Sequence, residues 1–297
     1  MDTTLDSPDG YDLMASVHSW IYPEIQPVPE KTWNCCFGRV FSFKSGKAAV
    51  IIEQHQSGDR PRIKWDNESV CESEVRDKMI WTLGLQVDTG PAIEAMKSDP
   101  VIRDYAQLLN GIRPYSADTP FEALVKAVIQ QQVSYKAANR FTERIVLGTA
   151  KPIRFDGVEL FSFPDSQTLA TLSETQLRSF GVGYKAGYIS EVSRLVSRGT
   201  LDLDSLKGRD AESVKAQLES VRGVGMWTIE LLMISGLGDF SQFPFGDLVI
   251  RNVLGELYKG GERMTRKEVQ AKSKTWGSAG PMVLYLLMSA EVLGYLN

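Results

Sequence analysis

The sequence is poor in histidine: only His18 and His55 occur, and none follows residue 55. A Ser-His-Asp or Cys-His catalytic group, or a histidine-rich zinc site, therefore cannot be built from the rest of the chain. Any chemistry there has to use carboxylate, lysine, hydroxyl or backbone groups.

Cysteine is also scarce. Cys35, Cys36 and Cys71 all lie in the first quarter of the 297 residues, and none follows them. Their odd number and the lack of metal-ligand spacing predict reduced thiols in an intracellular protein, with no metal site.

Long apolar runs are missing as well. No stretch reaches the roughly 18–20 apolar residues that a membrane span needs. The most apolar segment, residues 281–296, is interrupted by polar side chains and by Gly294, and therefore predicts a buried core helix. Residues 1–10 are acidic and polar, without the basic start or apolar core of a signal peptide.

The charge is unevenly distributed around a net value of −4. Residues 1–120 contain 12 Lys and Arg against 18 Asp and Glu, whereas residues 121–297 contain 21 against 19. Residues 121–154 alone carry six basic and two acidic side chains. Because a local basic face is sufficient for phosphate contact, the acidic total does not exclude a nucleic-acid partner.

The chain divides into an α+β region, residues 1–99, and a region that we expect to be all-helical, residues 100–297. Strand-like residues separated by turn signals predict a small antiparallel sheet, and a helix follows it. The predicted strands are 36–43, 48–55 and 61–65, and the helix is 72–83.

Capping signals place several helices in the second region. Thr119-Pro120-Phe121-Glu122 is typical of a helix start, and apolar residues then recur at the spacing of a core stripe. Further helices are predicted from the capping box at Ser173, over 185–198 and over 211–221.

Residues 221–228 join two predicted helices through a Gly-x-Gly turn at Gly223 and Gly225. A second helix begins at Met226, so its free N–H groups and positive dipole end meet the turn. This arrangement is suited to a phosphate. The alternative is an ordinary capping turn in a helix pair, which is how we interpret the similar Gly181-Val182-Gly183.

Asp247 stands at the head of another predicted helix, after a loop over residues 238–246. A plain N-cap aspartate is one interpretation. The other is a carboxylate that helix N–H groups hold in its ionised form and that faces a pocket. The two interpretations are compatible.

Together these residues resemble the helix-hairpin-helix superfamily of DNA glycosylases. Residues 221–228 and, about twenty residues later, the Phe-Pro-Phe-Gly-Asp of 243–247 are similar to its hairpin, Gly/Pro-rich loop and aspartate. Residues 121–134 and 163–201 resemble the 3-methyladenine DNA glycosylase II branch in order and spacing. The resemblance covers essentially the whole chain. It implies a mostly α-helical glycosylase fold with an N-terminal α+β domain and the hairpin motif at about 211–237.

The resemblance also implies roles for individual residues. Asp247 is the expected catalytic carboxylate, and Gln132 occupies the position that fills the gap left by a flipped-out base. The remaining expected DNA contacts are Gly223, Val224, Gly225, Met226, Ser134 and Lys185, and the expected base pocket comprises Trp227, Leu231, Phe245 and Met288.

Trp227 stands where glycosylase/lyases of this superfamily carry a nucleophilic lysine. Since an indole cannot form a Schiff base, the resemblance implies a monofunctional enzyme that uses water.

Lack of cysteine after Cys71 implies no iron–sulfur cluster. We expect no cofactor, with a monovalent cation at the hairpin left open. The expected partner is double-stranded DNA with a damaged base, bound by a monomer without membrane contact. Such a protein would be cytoplasmic and nucleoid-associated in a prokaryote, or nuclear in a eukaryote.

The number of candidate catalytic carboxylates favours an alkylated purine as substrate. A single carboxylate is enough for a base that is already a good leaving group. Glu230 is a candidate second carboxylate, but we expect it to be solvated or capping. Leu231 and Met288 replace pocket aromatics of the branch, and residues 276–281 depart from its Trp-x-Pro-Trp-Arg-like stretch. The open alternatives are a glycosylase for oxidised or deaminated purines, a non-catalytic damage-binding protein and a helical protein-interaction domain.

For several other residues we expect a particular position in the structure. The tryptophans Trp20 and Trp33 are expected in the core or at a domain interface. Four basic side chains are expected on solvated helix surface or at phosphates, namely Lys136, Arg140, Arg144 and Lys151.

Overall fold

The protein is described by a computed structural model over residues 1–296. It is mostly α-helical with a small antiparallel sheet near its N-terminus, as the sequence predicts. The strands are β1 (Asp2–Thr4), β2 (Lys31–Trp33), β3 (Cys36–Phe43), β4 (Gly46–Glu53), β5 (Arg62–Trp65), β6 (Ile153–Phe155) and β7 (Val158–Leu160). The helices are α1 (Leu13–His18), α2 (Glu72–Thr82), α3 (Gly90–Ser98), α4 (Tyr105–Leu109), α5 (Pro120–Gln130), α6 (Tyr135–Thr149), α7 (Ser166–Thr171), α8 (Glu174–Leu177), α9 (Lys185–Ser197), α10 (Ala211–Leu218), α11 (Met226–Leu237), α12 (Leu248–Lys259), α13 (Arg266–Thr275) and α14 (Gly280–Val292).

The five-stranded sheet has the order β1-β5-β4-β3-β2 and is covered on both faces. Val50 and Ile52 of β4 pack with α1 and α2, whereas Ala49 and Ile51 pack on the opposite face against β7. Burial on both faces explains why β4 is a continuous apolar run instead of an alternating one.

The expectation that the chain is entirely helical after residue 100 is wrong at one place, because β6 and β7 form a hairpin. Asp156 and Gly157 connect the two strands, and both have positive φ, 50° and 78°. An Asp-Gly pair in this conformation joins strands with the twist of a sheet. The Asp-Gly pair is a turn signal that is present in the sequence. The hairpin covers the outer face of the N-terminal sheet, so it belongs to that packing layer.

The predicted helix starts are confirmed where capping residues define them. The Thr119 hydroxyl accepts the N–H of Glu122 at 3.1 Å, and Ser173 closes a complete capping box with Gln176. Helix ends agree less well: α10 ends at Leu218, three residues before the predicted end, because the chain turns there toward Gly223.

The helices form two apolar cores. One surrounds α5, α9 and α11, and the other joins α12–α14 to α3 and α4. Helix α3 therefore packs on the C-terminal helices although it precedes residue 100. The domain boundary at residues 99 and 100 stays a prediction.

A buried ion network ties the sheet to α5. Arg39 on β3 is fully buried and donates to Glu30 at 2.8 Å and to both carboxylate oxygens of Glu122 on α5, at 2.9 and 2.6 Å. Lys126 and the Tyr115 hydroxyl donate to Glu30 at 3.0 Å each. Desolvation opposes ionisation of Glu122, but Arg39 and Lys126 outweigh it and lower its pKa. The network fixes where α5 lies on the sheet.

Among residues 1–296, none of the helices combines the length and apolarity required to cross a membrane.

Replacing Arg39 tests this network. Arg39→Met removes the buried guanidinium between Glu30 and Glu122 and leaves Lys126 as their remaining shared cation, so we expect the free energy of unfolding to fall by about 3–5 kcal/mol, measured by urea denaturation. Arg62→Met is the matched control, because Arg62 in the same sheet pairs with Asp2 at the exposed surface and should change stability little. Equal unfolding midpoints for the Arg39 variant and the unmodified protein would contradict the role given to the network.

Candidate functional site

A tight turn, residues 219–225, separates α10 from α11 and forms the predicted hairpin. Gly223 has φ +84°, and Gly225 is the N-cap of α11 with an extended backbone. Since the cap residue has no side chain, the first N–H groups of α11 have no side-chain acceptor. They are open to an anion from outside, as helix N-termini often are.

The two glycines of the turn have different reasons to be glycine. At Gly223 an added Cβ would lie 2.2 Å from Cγ of Tyr188, and the positive φ disfavours other residues as well. At Gly225 an added Cβ would meet nothing within 4 Å. The first glycine is therefore required by packing inside the protein, whereas the second leaves the backbone accessible from solvent.

Gln131, directly after α5, holds the turn in place. Its side-chain amide donates to the carbonyl of Gly223 at 2.7 Å and lies 2.9 Å from the Thr228 hydroxyl. Gln132, the next residue, is exposed with φ +54° and accepts from the Tyr184 hydroxyl at 3.1 Å. The segment after α5 and the hairpin are thus one rigid unit.

Asp247 is the N-cap of α12, as predicted, and both of its carboxylate oxygens are hydrogen-bonded. Oδ1 accepts the N–H of Val249 at 2.8 Å, and Oδ2 accepts Nε1–H of Trp227 at 2.9 Å. The side chain is half-buried. Donors from α11 and from the start of α12 therefore fix the orientation of the carboxylate.

A large cavity of about 1410 Å³ opens between the hairpin, the starts of α11 and α12, and α14; we call it the cleft. Its walls are mostly apolar, and Asp247 is its half-buried carboxylate. Most predicted site residues line it together, namely Gln132, Ser134, Gly223, Val224, Gly225, Met226, Trp227, Leu231, Asp247 and Met288.

Lys185 does not face the cleft, which corrects the expectation that it contacts DNA. Its side chain is buried, and Nζ donates to the carbonyl of Ile129 at 2.6 Å. Burial lowers its pKa to about 8. The lysine satisfies one of the carbonyl groups that the end of α5 leaves without a helical partner, and it fastens α9 to α5.

Phe245 is not on the cleft wall either, contrary to the base-pocket expectation. The N–H of Phe245 donates to the carbonyl of Phe243 at 2.8 Å, and this tight turn packs the two rings against each other, with centroids 6.2 Å apart. Phe243, two residues earlier, lines the cleft instead.

Several aromatic wall residues were not predicted, among them Trp20, Tyr135 and Tyr285. Trp20 donates through Nε1 to the hydroxyl of Tyr285, and its carbonyl accepts the hydroxyl of Tyr135. All three line the cleft, so the expectation that Trp20 is only a core or interface residue is wrong. These residues come from distant chain segments, and no local motif links them. Trp33 packs between the sheet and the β6–β7 hairpin.

Glu230 is neither solvated nor capping, which corrects our expectation for it. It is buried on α11 and lies 3.2 Å from Nη2 of Arg266. Burial raises its pKa to about 7, although Arg266 opposes this. It does not line the cleft. The four basic side chains expected at the surface, Lys136, Arg140, Arg144 and Lys151, are exposed along and just after α6.

The rim of the cleft is unusually apolar for an exposed surface. Val133, Tyr184, Leu248 and Val249 all line the opening, with exposed fractions of 37%, 53%, 56% and 36%. Exposed apolar residues gathered at one opening indicate a contact surface. They flank the hairpin amides, so a ligand with both phosphate and apolar parts fits this face.

The arrangement of helices that carries the hairpin, the cleft and Asp247 also occurs in a solved structure. The 3-methyladenine DNA-glycosylase from Archaeoglobus fulgidus superposes on 99% of this chain and 99% of its own, with a TM-score of 0.85 at 23% identity, which shows a shared fold. The profile described as "HhH-GPD superfamily base excision DNA repair protein" matches residues 125–278, just over half of the chain. The chain belongs to the HhH-GPD superfamily of base excision DNA repair proteins, which confirms the resemblance read from the sequence.

Curated relatives carry related names. A protein of Bacillus subtilis named putative DNA-3-methyladenine glycosylase YfjP is 30% identical over 159 residues, 52% of this chain and 53% of its own. The DNA-3-methyladenine glycosylase of the same species is 26% identical over 227 residues, covering 76% and 73%. A probable N-glycosylase/DNA lyase of Methanothermobacter thermautotrophicus is 26% identical over 207 residues, covering 63% and 66%. The chain therefore spans about half the length of the first relative and nearly three quarters of the second.

The two hairpin glycines should respond differently to alanine. Gly223→Ala forces a side chain into a positive φ and against Tyr188, so we expect a loss of about 1–3 kcal/mol in unfolding free energy. Gly225→Ala should stay within about 0.5 kcal/mol, because its Cβ points into open space. Both values come from urea denaturation of the full chain. Equal losses would show that the glycines share one packing role.

Proposed function

We propose that the protein is a monofunctional DNA glycosylase that hydrolyses the N-glycosidic bond of a flipped-out damaged purine and leaves an abasic site. The observation that carries this proposal is the half-buried carboxylate of Asp247, held by Trp227 and by the start of α12 inside the cleft beside the hairpin. The proposed partner is double-stranded DNA bound by a monomer, wherever the cell keeps its DNA.

Phosphate binding is assigned to the main chain. The hairpin places the N-terminus of α11 and the bare backbone of Gly225 at the cleft opening. Backbone amides and a helix dipole bind a phosphate without reading sequence, as a repair enzyme needs. The protein's overall negative charge is compatible with this mode because the positive potential is local.

The extruded nucleotide leaves a gap in the duplex, and Gln132 is the residue proposed to occupy it. Its positive φ turns the exposed segment after α5 outward, and Gln131 anchors that segment to the hairpin. Val133 and Leu248 on the apolar rim would contact the unstacked neighbours. Filling the gap offsets part of the cost of base flipping.

The proposed chemistry needs one charge. As the C1′–N bond breaks, its electron pair stays on the base and the sugar becomes oxocarbenium-like. The Asp247 carboxylate stabilises that positive charge and accepts a proton from the attacking water, whose oxygen bonds to C1′. Trp227 orients the carboxylate through Oδ2, so the indole has a positioning role besides forming a wall.

We propose that the protein lacks lyase activity because no lysine amine is placed to attack the sugar. Trp227 takes the place where the resemblance implies a lysine nucleophile, and no lysine lines the cleft in residues 1–296. Lys185 directly follows Tyr184, which lines the cleft, but Lys185 itself does not line it. Its Nζ donates to the carbonyl of Ile129. A Schiff base requires a free amine at the sugar.

No cofactor is required by this chemistry. A monovalent cation at the hairpin would be bound by backbone carbonyls, of which that of Val221 already accepts the N–H of Val224 and that of Gly223 accepts from Gln131. The cation stays a prediction, and none of the proposed steps uses it.

The proposed substrate class is cationic alkylated purines. Trp20, Trp227, Phe243 and Tyr285 give the cleft aromatic walls, which attract a positively charged base more than a neutral one. The second carboxylate that lines the cleft, Glu219, is exposed at the far end of the hairpin. Without a buried acid to protonate the leaving base, a base that is already cationic departs most easily.

Asp247→Asn separates catalysis from binding. The amide can still accept from Trp227 but carries no charge, so base release should fall at least about a hundredfold while affinity for lesion-containing DNA is retained. The matched control is Asp210→Asn, another N-cap aspartate, which lies on α10 away from the cleft. If the Asp247 variant kept full turnover, the proposed role of its carboxylate would be wrong.

A panel of substrates tests specificity and reaction type. We expect release of N3- and N7-alkylated purines from duplex oligonucleotides to exceed release of deaminated or oxidised purines, because the latter are neutral. Borohydride should trap no covalent complex, and strand cleavage should require added alkali. Preference for 8-oxoguanine would overturn the substrate class, whereas a trapped complex would overturn the monofunctional mechanism alone.

A further inference from the structure

A second group of reactive side chains lies on the N-terminal sheet, away from the cleft. Cys35 stands in the two-residue turn between β2 and β3, Glu53 ends β4, and His55 follows two residues later. The sheet register brings them together, because Cys36 pairs with Glu53 across β3 and β4 and the carbonyl of Cys35 accepts the N–H of Gln54. None of these residues lines the cleft.

The donor atoms of Cys35, Glu53 and His55 all lie within 4.8 Å of one another. Sγ of Cys35 is 3.4 Å from Nδ1 of His55, and Oε1 of Glu53 is 3.2 Å from Nε2. Tetrahedral zinc with ordinary bond lengths separates two ligand atoms by roughly 3.3–3.6 Å. Because the two contacts use opposite ring nitrogens, an ion would bind after the His55 ring turns one nitrogen toward both Sγ of Cys35 and the Glu53 carboxylate. Within residues 1–296 these three form the one group of His, Cys, Asp and Glu side chains close enough to share an ion.

The chemistry of the donor set is selective. A thiolate and an imidazole favour a borderline-soft cation such as Zn²⁺, whereas Mg²⁺ and Ca²⁺ require oxygen ligands. One carboxylate with one thiolate supplies two negative charges, which neutralises a divalent ion. His55 is 70% exposed, so its ring can rotate to aim either nitrogen at the ion with little loss of packing.

The neighbouring Cys36 is excluded from the set by its surroundings. It packs against the apolar cluster between the sheet and the β6–β7 hairpin, and its Sγ is not among the donor atoms that lie close to one another. Solvent can reach the three other side chains, so water is available as a fourth ligand.

We propose that Cys35, Glu53 and His55 form a binding site for Zn²⁺ or a similar thiophilic divalent cation. The ion would connect the β2–β3 turn to the end of β4 and so stabilise this end of the sheet. This site is independent of the proposed glycosylase activity, and it departs from the sequence-based expectation of no metal. That expectation considered spacing along the chain, whereas the donors meet only through strand register.

Cobalt titration of the reduced, metal-free full chain tests the site. We expect about one Co²⁺ to bind per chain with a near-ultraviolet thiolate-to-cobalt charge-transfer band, and Zn²⁺ to displace it. Cys35→Ser should abolish the band. His55→Gln should weaken Zn²⁺ binding at least about tenfold, since even loss of an indirect ligand contact costs that much. Zinc should also raise the melting temperature of the unmodified chain and not that of the Cys35 variant.

The chain provides matched controls for both variants. Cys71→Ser removes the exposed cysteine outside the group, and His18→Gln removes the other histidine. Both should bind cobalt and zinc as the unmodified chain does. A missing charge-transfer band in the unmodified chain, or equal losses in the Cys71 and Cys35 variants, would overturn the proposal. Base release by the zinc-free protein is expected to be unchanged, so failure of this test leaves the proposed glycosylase activity untouched.

Discussion

The position of α5 is the constraint on which the cleft depends, and a buried ion pair sets it. Arg39 and Glu122 lie wholly inside the protein, where an unpaired charge of either sign would be strongly unfavourable. The pair can therefore form only in one register between sheet and helix. The other end of α5 is fixed by Lys185 on the Ile129 carbonyl and by Gln131 on the Gly223 carbonyl. Sheet, helix and hairpin are thus positioned as one unit.

The carboxylate of Asp247 has a structural role that is compatible with the chemical role proposed for it. Helix capping needs an oxygen directed at the N–H of Val249, and a charge-stabilising group needs an ionised oxygen directed into a cavity. Under the proposed function Asp247 serves both needs, because its oxygens lie at the start of α12, which opens onto the cleft. Trp227 adds the second hydrogen bond, so the indole holds the carboxylate in place.

The proposed nucleic-acid face is built with few charges. Helix N-terminal amides and exposed apolar residues around the opening replace the broad basic surface that a DNA-binding protein often has. This explains how a chain with a net charge of −4 can contain such a face. The basic side chains of α6 are exposed, but among residues 1–296 the one Lys or Arg side chain that lines the cleft is Arg222.

The sequence by itself determined the elements whose signals act over a few residues. Caps at Thr119 and Ser173, the glycine at 223 and the aspartate at 247 each specify local geometry through their own backbone or hydrogen bonds. The Asp156-Gly157 turn of the β6–β7 hairpin is an equally local signal. Tertiary structure alone decided the walls of the cleft, the burial of Lys185 and the meeting of Cys35 with His55. These depend on segments far apart in the chain, and their contacts exist only after the apolar faces have packed and fixed the strand register.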